Sequence, residues 1–183
     1  MAKKNPLLIV LSGLPGTGKT TIARQVADQL GATYLRIDTI EQALRSALGL
    51  MDDVGPAGYV VAYAISETNL ASGRTVVADC VNPIAATREA WRLVAANTHS
   101  PIVEVELFCS DAVEHRRRIE ARTIDIAGLA RLTWEKVLAR DYEVWPVPTL
   151  RIDTALVDPT ASVRLIVEEA MRRQAAEKAG TSD

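Results

Sequence analysis

The chain has 183 residues, which suits one domain with a sizeable core. Its 21 lysines and arginines nearly balance 23 aspartates and glutamates, leaving a net charge of −2 and no general attraction to nucleic acid or an anionic membrane. About half of the residues are apolar, the composition of a globular protein, and the apolar run near the start, Leu7–Leu11, is too short for a signal core or a membrane span, so a cytoplasmic location is expected. Cys80 and Cys109 lie in or beside apolar strand-like runs. They read as reduced, buried thiols rather than a disulfide or a zinc site.

Leu7–Leu11 is an uninterrupted aliphatic run, as in a strand covered on both faces of a parallel sheet. A Gly-rich turn follows, then a helix at Thr20–Leu30 with Ile22, Val26 and Leu30 on one face and Gly31 as its stop. Thr33–Ile37 reads as a second strand, with Asp38 or Thr39 capping a helix through Ile40, Ala43, Leu44 and Ala47. Met51–Gly58 is expected to be a loop, and Tyr59–Leu70 a helix ending near Gly73. Thr75–Ala78 is a third strand and Pro83–Ala96 a helix with proline in its first turn. Ile102–Phe108 is a fourth strand, Asp111–Arg122 a charged helix, and Thr133–Trp145 a helix ended by Pro146 and Pro148. A short fifth strand, Leu150–Ile152, and a closing helix, Thr160–Lys178, complete one domain over residues 1–178, with a flexible tail at 179–183.

Strands alternating with helices imply right-handed crossovers and a mainly parallel five-stranded sheet between two helical layers, an α/β/α fold. Ligands of such sheets sit beyond the carboxyl ends of the strands. Gly13, Asp38, Asp79 and Ser110 each follow an expected strand, so they should rim one crevice.

Gly13-Leu-Pro-Gly-Thr-Gly-Lys19-Thr20 matches G-x-x-x-x-G-K-[ST] in full, between a buried strand and a helix. The glycines Gly13, Gly16 and Gly18 permit positive φ, so the backbone of Pro15, Gly16, Thr17 and Gly18 can wrap an anion at the helix N-terminus. Lys19 should reach the β- and γ-phosphates and Thr20 should ligate magnesium, with Thr21 beside it. The expected cofactors are therefore ATP and Mg²⁺. The motif by itself does not separate a kinase from a switch or a motor ATPase.

Asp38 stands where a carboxylate would face the γ-phosphate across the crevice, as a base for an acceptor hydroxyl or merely as a helix cap. Arg45 further along is a candidate to hold the acceptor. Asp79, after an apolar strand, is placed as a Walker-B-like acid, near magnesium or the acceptor. Asn82 either caps the next helix or faces the crevice. Four arginines crowd His115–Arg122, with Arg118 and Arg122 on one helical face, and a link through Gly128 and Arg131 to Leu132 can close as a lid over about residues 122–133. His115 and His99 are too far apart in sequence to suggest a metal site. Trp134, Tyr142 and Trp145 read as a stripe that packs a core or lid.

Taken together, these residues resemble the small P-loop kinases, including gluconate and shikimate kinases, chloramphenicol phosphotransferase and the kinase domain of phage polynucleotide kinase. The resemblance rests on Gly13–Thr20, the aspartate after strand two and the pair Arg118/Arg122 before a lid. It implies that Asp38 is the catalytic base, that Arg122 contacts the ATP phosphates, that Arg118 lies against the adenine, and that Asp153-Thr154-Ala155 passes nearby. Asp79-Cys-Val-Asn82-Pro83 with Arg88 and Trp91 resembles the polynucleotide-kinase type. The net negative charge and the lack of a basic stripe speak for a small hydroxylated acceptor over nucleic acid. A 5′-hydroxyl polynucleotide or nucleoside kinase is the alternative among kinases, and a nucleotide-dependent switch or interaction module with slow hydrolysis is the alternative outside them.

Overall fold

A computed structural model of the chain describes residues 5–50 and 54–180. Met51–Asp53 of the expected loop and Thr181–Asp183 of the expected tail lie outside the described residues. The sheet contains β1 (Leu8–Ser12), β2 (Thr33–Arg36), β3 (Val76–Asp79), β4 (Ile102–Phe108) and β5 (Leu150–Asp153). Their order is β2-β3-β1-β4-β5, and all four pairings are parallel. The helices are α1 (Lys19–Leu30), α2 (Ile37–Leu48), α3 (Ala57–Ala71), α4 (Ala85–Asn97), α5 (Ala112–Glu120), α6 (Trp134–Leu138) and α7 (Pro159–Gly180).

Strand alternation divides the core into two layers. Leu7, Ile9 and Leu11 point to one face, where Ile22, Val26 and Ala27 of α1 and Val163, Ile166 and Ala170 of α7 cover them. Leu8 and Val10 point to the other face, against Ala62 and Leu70 of α3 and Trp91, Val94 and Ala95 of α4. A strand buried on both faces has no polar alternation, which is why β1 reads as a continuous aliphatic run. The three-layer architecture expected from the sequence is thus the one found.

Several element boundaries differ from expectation, and two of the differences move a site residue. β2 stops at Arg36 and α2 begins at Ile37, so Asp38 sits in the first turn of a helix, not at a strand end. Neither Asp38 nor Thr39 caps that helix; Arg36 occupies the cap position and no side chain caps there. α5 ends at Glu120, so Arg122 lies just past the helix that carries Arg118. α6 is a single short helix ending at Leu138, because the chain beyond it has stronger partners than its own backbone. Glu143 accepts the Ala85 N–H at the start of α4 and donates its own N–H to the Pro83 carbonyl. Arg88 donates to the carbonyls of Glu143 and Val144 and stacks against Tyr142 and Trp145. The expected aromatic stripe is therefore divided. Tyr142 and Trp145 enclose Arg88, while Trp134 meets the edge of the His115 ring. Pro83 precedes α4 instead of opening its first turn. Cys80 is buried as expected, but Cys109 is partly exposed.

Candidate active site

The turn after β1 curls as its glycines require. Gly13 has φ 141°, and a Cβ there would run into the Leu107 carbonyl. Gly16 and Gly18 both have φ 85°, and Gly18 forms the N-terminal boundary of α1. Gly16 lies against Ile119 and His115 of α5. The His115 Nε2 is 2.7 Å from the Pro15 carbonyl, which can only accept, so Nε2 carries the proton. The loop is thus braced from behind by a buried histidine. A lone histidine among arginines carried no signal for that role.

Pro15, Gly16, Gly18, Lys19, Thr20 and Thr21 line a cavity of about 880 Å³. Gly13 and Thr17 shape the loop from beneath; the Thr17 hydroxyl donates to the Leu14 carbonyl at 2.9 Å. Lys19 Nζ donates to the same carbonyl at 2.8 Å, folding the side chain across its own loop. Burial lowers the pKa of this ammonium, and Asp79 and Asp38 oppose the shift. A bound phosphate would supply the missing negative charge and draw the lysine off the carbonyl.

At the end of β3, buried Asp79 accepts 2.7 Å and 2.9 Å hydrogen bonds from the hydroxyls of Thr20 and Tyr34. A hydroxyl and a carboxylate oxygen side by side, next to a phosphate loop, are a donor set suited to magnesium, which keeps waters and takes its remaining ligands from phosphates. Among the described residues no cluster of three or more metal-ligating side chains competes with this pair.

On the opposite wall, Arg122 Nη2 stands 3.7 Å from Asp38 Oδ2. The residue expected as base and the arginine expected over the transferring group therefore meet across the same cavity. Buried Arg36 completes the charge arrangement. It lies 3.5 Å from Asp38 and 3.9 Å from Asp79, and it donates twice to Asp125, at 3.0 Å and 2.8 Å. Arg24 of α1 donates to Asp125 as well, at 2.8 Å to the Oδ2 that Arg36 also holds. Its pair of guanidiniums, Arg36 first, keeps the Asp125 carboxyl down at about 2. Residue 125 belongs to the segment between α5 and α6, whose Gly128 also comes close to Gln42 of α2. That segment is in this way fastened over the crevice.

The other candidates divide. Arg45 lines the cavity, with its Nε donating to Gln42 at 3.1 Å. Arg118 also lines it, held by Glu114 and by the hydroxyl and carbonyl of Thr154. Arg131 turns away to the Glu120 carbonyl. Asp153 does not reach the cavity; its Oδ1 accepts the N–H groups of Ser110 and Ala155, tying the turn after β5 to the end of β4. Asn82 does not reach it either. Its backbone has φ 52°, its Nδ2 donates to Ser12 at 3.0 Å, and its N–H donates to the Tyr59 hydroxyl at 2.8 Å. It neither caps α4 nor faces the crevice. Sequence reasoning missed Arg36, Asp125, Arg24 and Arg140. For Arg36 a signal existed, because a charge inside a short strand with apolar neighbours must find a partner.

A phosphate loop between β1 and α1, an acid at the end of an adjacent strand and this strand order define a P-loop nucleotide-binding fold. The chain belongs to the AAA domain family AAA_33, whose model matches residues 8–143. An uncharacterized protein of Mycobacterium tuberculosis is 33% identical over 119 residues, covering 58% of this chain. The match spans only 24% of the length of that relative. Cytidylate kinase of Aeropyrum pernix is 27% identical over 177 residues, covering 90% of this chain and 99% of the kinase. Among solved structures, a gluconokinase from Sinorhizobium meliloti superposes with a TM-score of 0.62 at 22% identity, covering 98% of this chain and 99% of its own. The Mycobacterium tuberculosis APS kinase CysC, in complex with AMPPNP and APS, superposes with a TM-score of 0.58 at 20% identity, covering 92% of this chain and 95% of its own. The two superpositions bear out the fold of the small P-loop kinases.

No helix among the described residues is long and apolar enough to cross a membrane.

Proposed function

We propose that the chain is a magnesium- and ATP-dependent kinase that transfers the γ-phosphoryl group to a hydroxyl of a small molecule. The observation that carries this reading is the 3.7 Å approach of Arg122 to Asp38 beside the phosphate loop. A carboxylate and an arginine facing each other where an acceptor would enter suit a kinase, in which one orients the acceptor hydroxyl and the other stabilises the transferring group. The kinases that share the fold include one crystallised with AMPPNP, which supports ATP as the donor.

In this reading the amides of Gly13–Thr20 and the Lys19 ammonium hold the β- and γ-phosphates. Thr20 and Asp79 would hold magnesium, which supplies positive charge against the phosphate oxygens. Asp38 orients the acceptor hydroxyl and takes its proton as the oxygen attacks phosphorus. Arg122 lies over the equatorial oxygens, where its charge is worth most once water is excluded. Arg45 helps to position the acceptor, and residues 122–133 act as the lid. Arg118 borders the adenine, held there by Thr154 of the turn after β5. The proposed location of the reaction is the cytoplasm, a compartment that keeps thiols such as those of Cys80 and Cys109 reduced.

The features that resembled a polynucleotide kinase have structural occupations. Arg88 is spent on backbone carbonyls and two aromatic rings, Trp91 is in the core, and Asn82 is buried. A small acceptor is therefore favoured over a nucleic acid 5′-hydroxyl. The test is incubation with γ-labelled ATP and separate panels of sugars, nucleosides, other small alcohols and 5′-hydroxyl oligonucleotides. A labelled phosphomonoester from a small alcohol supports the reading. Label on oligonucleotides alone, or ATP loss with label only in inorganic phosphate, refutes it.

A further inference from the structure

Beside the phosphate crevice lies a second cavity of about 470 Å³, on the scale of pockets that take small organic ligands. It shares Asp38, Glu41, Gly55, Tyr59, Val81 and Arg140 with the larger cavity, so the two adjoin, with Asp38 in the lining of both. A molecule whose hydroxyl points at Asp38 has this hollow for the rest of its body.

The walls are apolar and aromatic. Ile37, Tyr59, Val60, Tyr63 and Ile84 are among the residues that form them. Each tyrosine hydroxyl has a hydrogen bond to the backbone. Tyr59 accepts the Asn82 N–H, and Tyr63 donates to the Thr87 carbonyl at 3.2 Å. Their rings stand 6.0 Å apart at 52°, presenting a tilted aromatic wall. Val60 is 58% exposed, a large apolar side chain left on the surface at the cavity's edge. The charges in the lining are two carboxylates, Asp38 and Glu41, and one guanidinium, Arg140. Arg36 and Arg122 stand 3.5 Å and 3.7 Å from Asp38 and offset its charge, so what disfavours an anion here is the apolar and aromatic wall, which cannot replace its water.

We infer that the acceptor is an uncharged alcohol with an apolar, ring-sized body, seated on Tyr59, Val60 and Tyr63 with its hydroxyl at Asp38. This inference rests on the kinase reading and narrows it. In the step, the acceptor oxygen bonds to the γ-phosphorus and its proton passes to Asp38. The bond from that phosphorus to the bridging oxygen of ADP breaks, giving a phosphomonoester and ADP.

The experiment uses the full chain saturated with magnesium and AMPPNP. Ligand-observed NMR measures binding of benzyl alcohol, phenylethanol and cyclohexanol against gluconate and cytidine monophosphate, in wild type and in Val60→Arg. The exposed position of Val60 keeps the variant folded, and its AMPPNP affinity is the control for that. The expected result is binding of the neutral alcohols, at least tenfold weaker in Val60→Arg, and none of the anions. Binding of the anions with no neutral alcohol bound, or alcohol binding indifferent to Val60→Arg, overturns the acceptor assignment and leaves the kinase reading intact. Replacing AMPPNP by ATP then separates the two ideas. Bound alcohol that never yields a phosphomonoester refutes transfer, and with it the acceptor role, while the ligand class of the cavity stands.

Discussion

Thr20 Oγ1 donates a 2.7 Å hydrogen bond to Asp79 Oδ2 across 59 residues of sequence, joining the end of the phosphate loop to the end of β3. A cation inserted between these oxygens would exchange that bond for two metal contacts. Asp79→Asn keeps the shape and removes the charge. It is expected to abolish most of the magnesium dependence of ATP affinity while leaving the weaker metal-free binding in place. Titrating ATP with and without magnesium in both proteins is the check. A variant that retains the full magnesium effect removes Asp79 from the metal site.

Asp38 and Arg122 are expected to fail in different ways. Asp38→Asn removes proton acceptance and should lower turnover by about 10²–10⁴-fold with ATP affinity little changed. Arg122→Ala removes charge over the transferring group and should cost roughly 10³-fold in turnover. Initial rates at saturating ATP, with an acceptor that reacts, decide both. Wild-type turnover in Asp38→Asn would leave the carboxylate as no more than a favourable charge in the first turn of α2.

Asp125 fastens residues 122–133 to α1 and β2 through Arg24 and Arg36. Asp125→Asn should loosen that segment, admit water, and raise acceptor-independent ATP hydrolysis several-fold while transfer to the acceptor falls. Comparing phosphate release with phosphomonoester formation measures the split. Because the carboxyl is held below its ordinary 3.8, the latch contributes fully above that pH and is lost only as pH falls through about 2. Neutral and mildly acidic buffers should therefore leave the lid fastened.

Lys19 provides a second pH signature. Burial lowers its pKa from 10.5, so the free protein loses this charge at a lower pH than an ordinary lysine would. Triphosphate binding prefers the charged form. Affinity should accordingly decline on the alkaline side, beginning below 10.5, and binding there should take up a proton. Global stability is a poor readout. The lowered lysine makes unfolding less favourable as pH rises through its window, while buried Cys80, Tyr34 and Tyr59, all pushed up by burial, act in the opposite direction. Calorimetry in buffers of different ionisation heats detects the proton. Affinity that is flat across the alkaline range would contradict this account of Lys19.

Much of the architecture was legible because local pattern and long-range packing agree. β1, α1, β3 and β4 bury either both faces or one clean stripe, and the phosphate loop announces its own backbone geometry through its glycines. What escaped depended on partners far away in the chain. The segment after α6 has residues that tolerate a helix, yet Arg88 and Pro83 take up its backbone groups and hold it extended. Arg36 and Asp125 are 89 residues apart and match no motif, so their pairing emerges only in three dimensions. The small shift that puts Asp38 inside α2 followed from a strand shorter than its apolar run suggested. The apolar hollow beyond Asp38 joins side chains from α2, α3 and the turn before α4, which no single stretch of sequence brings together.

The measurement closest to the centre of this account is a calorimetric titration of magnesium with AMPPNP into the wild-type chain and into Lys19→Ala. One site per chain, with affinity that falls at least tenfold when magnesium is withheld and again when Lys19 is removed, is the expected result. Equal heats in all cases, or no saturable binding by the wild type, would contradict a triphosphate site in the loop after β1 and everything built upon it.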